Sequence, residues 1–129
     1  VLCMGLTMTA CNKATSYTIK VVYADGTPVN GLTDGTRGTS DNDEENTKIQ
    51  VQICAADKET GVTGPNDFCT LPIDLGSNGV LEVTNGDLAE LEDNQKWHVR
   101  LLGVKSEYTF EDLYLDGYGT YTIVLTAQN

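Results

Sequence analysis

The side chains able to do chemistry in this chain are few. Four cysteines, Cys3, Cys11, Cys54 and Cys69, and a single histidine, His98, supply all of its thiols and imidazoles. Cys54 and Cys69 lie too far apart for a C-x-x-C redox pair. Two cysteines and one histidine without close spacing are also too few ligands for a zinc site. One histidine, with no Ser/His/Asp set and no carboxylates at a readable catalytic spacing, argues against an enzyme. His98 follows Trp97 directly, so on a strand it points outward when Trp97 points into the core. The remaining candidates are the acids Asp34, Asp41, Asp43, Glu44 and Glu45, hard oxygen donors of the kind Ca²⁺ takes. Their segment DNDEEN lacks the glycine and the spaced acids of a calcium loop. A solvated acidic loop with no cofactor is therefore expected, and Ca²⁺ is the alternative.

These residues need a scaffold, and composition bounds it. At 129 residues the chain has room for one core, and a second domain would be cramped. Hydrophobic residues make up 40% and charged ones 21%, which is a globular rather than a disordered balance. Net charge is −11, and Lys13, Lys20, Arg37, Lys48, Lys58, Lys96, Arg100 and Lys105 are scattered singly. Nucleic acid is not an expected partner, because neutralising phosphates needs clustered Lys and Arg. An acidic surface mainly confers solubility.

Residues 1–10, VLCMGLTMTA, are apolar, uncharged and without alternation. The chain opens on Val with no basic stretch before it, which reads as a signal-peptide remnant lacking its true start. Met8-Thr9-Ala10-Cys11 resembles the lipobox of bacterial lipoproteins: an apolar residue, small residues, then the cysteine that is lipidated. The signal peptidase needs small side chains just before its cut, and Met8 stands where Leu is usual. The resemblance implies Cys11 as the lipidation site, 11–16 as a polar tether, and a bacterial cell-surface, extracytoplasmic location on a lipid anchor. An ordinary secretory signal or an arm packed on the domain is the plainer reading. Ten apolar residues are too few to span a bilayer, which needs about 20. In an exported chain the pair Cys54 and Cys69 reads as a disulfide.

From residue 17 to 129 the pattern is that of a single β domain. Tyr17, Ile19, Val21 and Tyr23 alternate with Thr18, Lys20 and Val22, the signature of a half-buried strand. Asp25-Gly26-Thr27-Pro28 ends it, with Gly26 supplying positive φ. Residues 32–46 form a long polar loop. Strands follow at 48–55 and at 67–74, the latter on a sheet edge because Pro72 cannot donate to a ladder. Cys54 and Cys69 would then sit on neighbouring strands of one hairpin. Ser77-Asn78-Gly79 turns into a strand at 80–83, and residues 85–93 allow at most one helical turn, capped by Asn85 or Asp87. A strand over 96–104 turns Trp97, Val99 and Leu101 inward and His98 and Arg100 outward. The segment from Asp116 closes with Tyr121, Ile123 and Leu125 on one face. Strands and turns without a long helix imply an all-β, antiparallel β-sandwich of about seven strands.

Three segments also resemble the prealbumin-like superfamily of bacterial surface modules, which includes collagen-adhesin B-type repeats, pilin-type domains and the carboxypeptidase regulatory-like domain. They are Asp25-Gly26-Thr27-Pro28-Val29-Asn30-Gly31, the Cys-bearing strand IQVQIC, and Tyr108-Thr109-Phe110-Glu111-Asp112-Leu113 with Gly119-Thr120-Tyr121. The resemblance covers residues 17–126 and implies a Greek-key sandwich, with motifs more specific for fold than for ligand. Its B-type repeats often carry a Lys–Asn isopeptide bond, with the Lys about five residues before the turn glycine. Val21 occupies that position here, Lys20 lies on the opposite face, and the only Asn near the last strand is the terminal Asn129. No isopeptide is expected. The related transthyretin-like hydrolases use clustered His and Arg, which a single His98 does not supply. The function implied is a non-enzymatic, lipid-anchored stalk or adhesion module, with a host or cell-wall glycan or protein as partner. The alternatives are a carbohydrate- or peptide-binding domain using the loops at one end of the sandwich, and an accessory domain of a secreted enzyme.

Overall fold

The computed structural model describes residues 15–36 and 47–128. They form two four-stranded sheets packed face to face. The strands are β1 Ser16–Tyr23, β2 Gln50–Asp57, β3 Ile73–Asp74, β4 Val80–Thr84, β5 Gln95–Leu102, β6 Tyr108–Thr109, β7 Leu113–Leu115 and β8 Gly119–Ala127. One sheet runs β4-β1-β8-β6 and the other β3-β2-β5-β7. The β-sandwich read from the alternation is the fold observed.

The core is the set of inward residues the strand period selects. Ile19 and Val21 from β1, Val51 and Ile53 from β2, Trp97 and Val99 from β5, and Ile123 and Leu125 from β8 are all buried in it. At one end Val29, Ile49 and Leu75 close the core, and the backbone ties these loops together. Gly31 N–H donates to the Gly76 carbonyl at 3.0 Å, Ile49 N–H to Gly31 at 2.8 Å, and Leu75 N–H to Ile49 at 3.0 Å.

Several elements differ from the sequence expectation, each for a local reason. The last strand begins at Gly119 rather than Asp116, because Asp116–Tyr118 is a turn around Gly117 at φ +99°. The strand expected over 96–104 stops at Leu102, where Gly103 takes φ +89°. The strand expected over 67–74 is interrupted. Cys69 pairs with Cys54 as an isolated bridge, and Ile73–Asp74 pairs with Gln50–Val51. The register shifts by one residue between these contacts, so the edge bulges next to Pro72. Thr70 holds the bulge: its N–H donates to the Ile53 carbonyl at 2.9 Å, and its hydroxyl accepts from Ile53 N–H at 3.1 Å. The helical segment is one 3₁₀ turn at Asn85–Asp87. Its cap is Thr84, whose N–H and hydroxyl both donate to Asp87.

The largest departure concerns pairing. β1 and β8 are parallel, in register from Tyr17↔Gly119 to Tyr23↔Leu125, while every other strand pair is antiparallel. The first and last strands therefore run side by side in the same direction. β1 starts at one pole of the sandwich, and β8 ends at the opposite pole.

Candidate functional site

The outer face of β2-β5-β7 gathers three of the residues singled out in the sequence, Cys54, Cys69 and His98. Strand register sets Cys54 opposite His98 and His98 opposite Tyr114, with Cys69 beside Cys54 on the far edge. The row thus reads Cys69, Cys54, His98, Tyr114. The disulfide between Cys54 and Cys69 is formed. Ala55 N–H donates to the Phe68 carbonyl, and Thr70 N–H donates to Ile53, on either side of the cysteine pair. Cys54 and Cys69 are therefore a non-hydrogen-bonded pair, in which opposite Cα atoms approach most closely. Their Cα atoms lie 4.0 Å apart.

β5 brings its alternate residues Lys96, His98 and Arg100 to this same face, spaced by about 7 Å as period two requires. Arg100 Nη1 donates to Cys54 Sγ at 3.7 Å, above a Cys54 that solvent does not reach. His98 stacks on Tyr114 with ring centroids 4.6 Å apart and planes 18° from parallel. Its Nε2 lies 3.3 Å from Asp112 Oδ1. Lys96 Nζ sits 4.1 Å from the Tyr114 ring centre, and the Tyr114 hydroxyl donates to the Gly61 carbonyl at 3.2 Å. His98 is half-buried under these contacts, whereas Arg100 is exposed as expected of an outward residue. Lys96 and Arg100, scattered in the linear chain, are brought by the strand into one stripe with His98 between them. Alternation alone gives the outward setting of His98 and Arg100. Tyr114 and Asp112 were not readable as members, because the short β7 has no visible alternation.

Chemically the cluster is a clasp. Tyr114 and His98 join β7 to β5, the Gly61 carbonyl binds the 58–63 loop over them, and the disulfide fixes the β3 edge. Among the described residues His98 has no serine, threonine or thiol partner, and no group of three or more His, Cys, Asp or Glu side chains is placed to hold a metal.

Asp34 is the one member of the acidic set within the described residues; Asp41, Asp43, Glu44 and Glu45 lie outside them, as do Cys11 and residues 1–10. Asp34 Oδ2 accepts from the Tyr23 hydroxyl at 2.7 Å and from Asn30 N–H at 2.9 Å, and Oδ1 accepts from the Thr33 hydroxyl at 3.2 Å. Burial alone would raise its carboxyl, but these donors outweigh burial and hold it below the ordinary carboxylate range. The same contact acts oppositely on Tyr23, whose phenol is pushed up by burial first and then by the bond to Asp34. Asp34 thus pins the 29–34 turn to the end of β1. Lys20, the cation nearest the isopeptide position, is exposed on the outer face of β1.

A recess of about 370 Å³ at the pole where β8 ends is lined by Tyr23, Asp25, Thr27 and Tyr108, and two others stand out. A groove of about 720 Å³ runs between β8 and the 109–113 crossover, lined by Phe110, Leu113, Ile123 and Val124 with threonine hydroxyls at its rim. The second, of about 390 Å³ at the pole where β1 starts, is lined by Tyr17, Leu88, Leu91 and Trp97. Trp97 is 4% exposed, as a core residue should be. Among the described residues no helix is long and apolar enough to cross a membrane. Comparison with known protein families, with curated proteins and with solved structures finds no match to this chain.

Proposed function

We propose that this chain is a non-enzymatic, lipid-anchored module of a bacterial cell surface, a prealbumin-like Greek-key sandwich that serves as a stalk or adhesion domain. The observation that carries the reading is the parallel pairing of β1 with β8. With strands of 8 and 9 residues, the chain enters at one pole and leaves about 25–30 Å away at the other. A spacer between a membrane and a distal partner needs that polarity. A domain whose terminal strands were antiparallel neighbours would return the chain to the pole it came from.

Other features are in keeping with it. A disulfide suits an oxidising, exported environment. The lipobox-like Met8-Thr9-Ala10-Cys11 lies five residues before β1, so the tether would hold the near pole within about 18 Å of the anchor. The exposed aromatics Phe68 and Tyr118 lie toward that near pole. At the far pole Tyr23 and Tyr108 pack on each other with ring centroids 5.4 Å apart. A glycan platform at the far loops therefore gains no support from exposed rings. An adhesive partner would be a host or cell-wall glycan or protein, which a glycan and matrix-protein binding array would identify.

Anchorage is tested by cell fractionation of the full-length chain carrying Cys11→Ser. Loss from the membrane fraction, or retention of the uncleaved form, is the expected result. A variant that is still cleaved and still membrane-bound would end the lipoprotein reading.

A further inference from the structure

We propose that the β1/β8 ladder is a shear clamp, which lets the domain carry tension along its long axis without a covalent cross-link between its terminal strands. This deepens the stalk reading and draws its biological use from it. The clamp itself is a property of the register and can be measured on the purified chain.

The argument begins with direction. Tension on a tethered module pulls Ser16 toward one pole and Ala127 toward the other. Because β1 and β8 are adjacent and parallel, those pulls slide the two strands past each other along their length. The hydrogen bonds of a parallel ladder are evenly spaced and run at a slant from strand to strand. Sliding therefore strains the bonds from Tyr17↔Gly119 to Tyr23↔Leu125 together, and none fails until the whole ladder gives way. Had the pulls acted on the same ends of the two strands, the bonds would open one after another, each under the full force alone.

The surroundings reinforce the geometry. β1 is also bound on its other edge to β4, from Ser16↔Thr84 to Lys20↔Val80, so withdrawing β1 must break two ladders. Ile19, Val21, Ile123 and Leu125 bury the inner side of the β1/β8 ladder, which keeps water from its bonds on that face. The route from Ser16 to Ala127 crosses only these two neighbouring strands. The β3-β2-β5-β7 sheet and the Cys54–Cys69 disulfide lie outside it.

The test is single-molecule force spectroscopy on the full chain with Cys3→Ser and Cys11→Ser, held in two ways. In one, handles are attached at the two chain ends. In the other, one handle is attached at the N-terminal end and one at an exposed Asp116→Cys, next to the start of β8, so that the same ladder is unzipped. The expected result is a single unfolding event at a force severalfold higher in the first geometry than in the second. Equal forces would overturn the clamp, as would stepwise unfolding at low force between the chain ends. Thermal melts of both chains establish that the attachment site has not altered the fold. The two readings fail separately. A high end-to-end force in a chain that fractionation finds away from the membrane would remove the stalk and leave the clamp. A surface-anchored chain with equal forces in both geometries would do the reverse.

Discussion

At the scale of single residues the most informative group is Asp34. Its carboxylate collects three donors while half-buried, and a hydrogen bond to a charged group contributes about 1.5–3 kcal/mol net. Its pKa in the folded chain is lowered, so the stability it contributes is present above the unfolded pKa of about 3.9 and is lost as pH falls through the folded value. Asp34→Asn is expected to destabilise the domain by about 1–2 kcal/mol at neutral pH. The gap between variant and parent should narrow as the pH drops below about 4. Denaturant melts at several pH values measure this, and a gap that stays constant down to pH 2 would show that the charge of Asp34 is irrelevant. In the sequence Asp34 reads as part of a solvated acidic loop, with Ca²⁺ ligation by its hard oxygens as the alternative. Nothing in the sequence announces that Tyr23 turns its hydroxyl back onto it. The alternation that made Tyr23 a core residue was legible; the polar tip of that residue was not.

At the scale of elements, the β2 edge carries the clearest agreement and the clearest miss. The disulfide was legible from the even cysteine pair within the domain and its hairpin placement, together with the expectation of export. The bulge that accommodates it was not, since DFCTLPID reads as a continuous strand until Thr70 is seen to use its hydroxyl in place of a ladder carbonyl. Pro72 was the one available signal, and it marked the edge correctly. The disulfide closes a separation of 15 residues and should stabilise the fold by about 3 kcal/mol in the chain-entropy model. Cys54→Ala with Cys69→Ala is expected to lower the unfolding free energy by about that amount in guanidinium melts. Thiol titration of the folded parent should find neither Cys54 nor Cys69 reactive before reduction. Two free thiols there would refute the bridge. On β5 the outward setting of His98 and Arg100 was legible from alternation, and Lys96 joins them on the same face. Lys96, His98 and Arg100 are separated by apolar core residues, so in the linear chain they look scattered, while on the pleat they share a face.

At the scale of the molecule, the alternation of apolar residues sufficed for the sandwich but not for its connectivity. Period two says which face of a strand is buried. It does not say which neighbour lies beside the strand or in which direction that neighbour runs, and so the parallel β1/β8 pair could not be read from it. That pairing has a kinetic consequence. Tyr17 meets Gly119 across almost the whole chain, and contacts so far apart in sequence form slowly because closure entropy precedes any stabilisation they give. Sheet β3-β2-β5-β7 joins residues much closer in sequence and has the disulfide to shorten its loop. Folding is therefore expected in the millisecond-to-second range, with sheet β2/β5 formed before β8 docks against β1. Val99→Ala and Ile123→Ala both hollow the core and should each destabilise by about 1–4 kcal/mol. The two losses should partition differently. Val99→Ala is expected to slow refolding, whereas Ile123→Ala should leave the refolding rate nearly unchanged and speed unfolding. Stopped-flow chevrons of the two variants distinguish the orders of assembly. If Ile123→Ala slowed refolding as much as Val99→Ala, the terminal ladder would already be built in the transition state, and the late docking of β8 would be wrong.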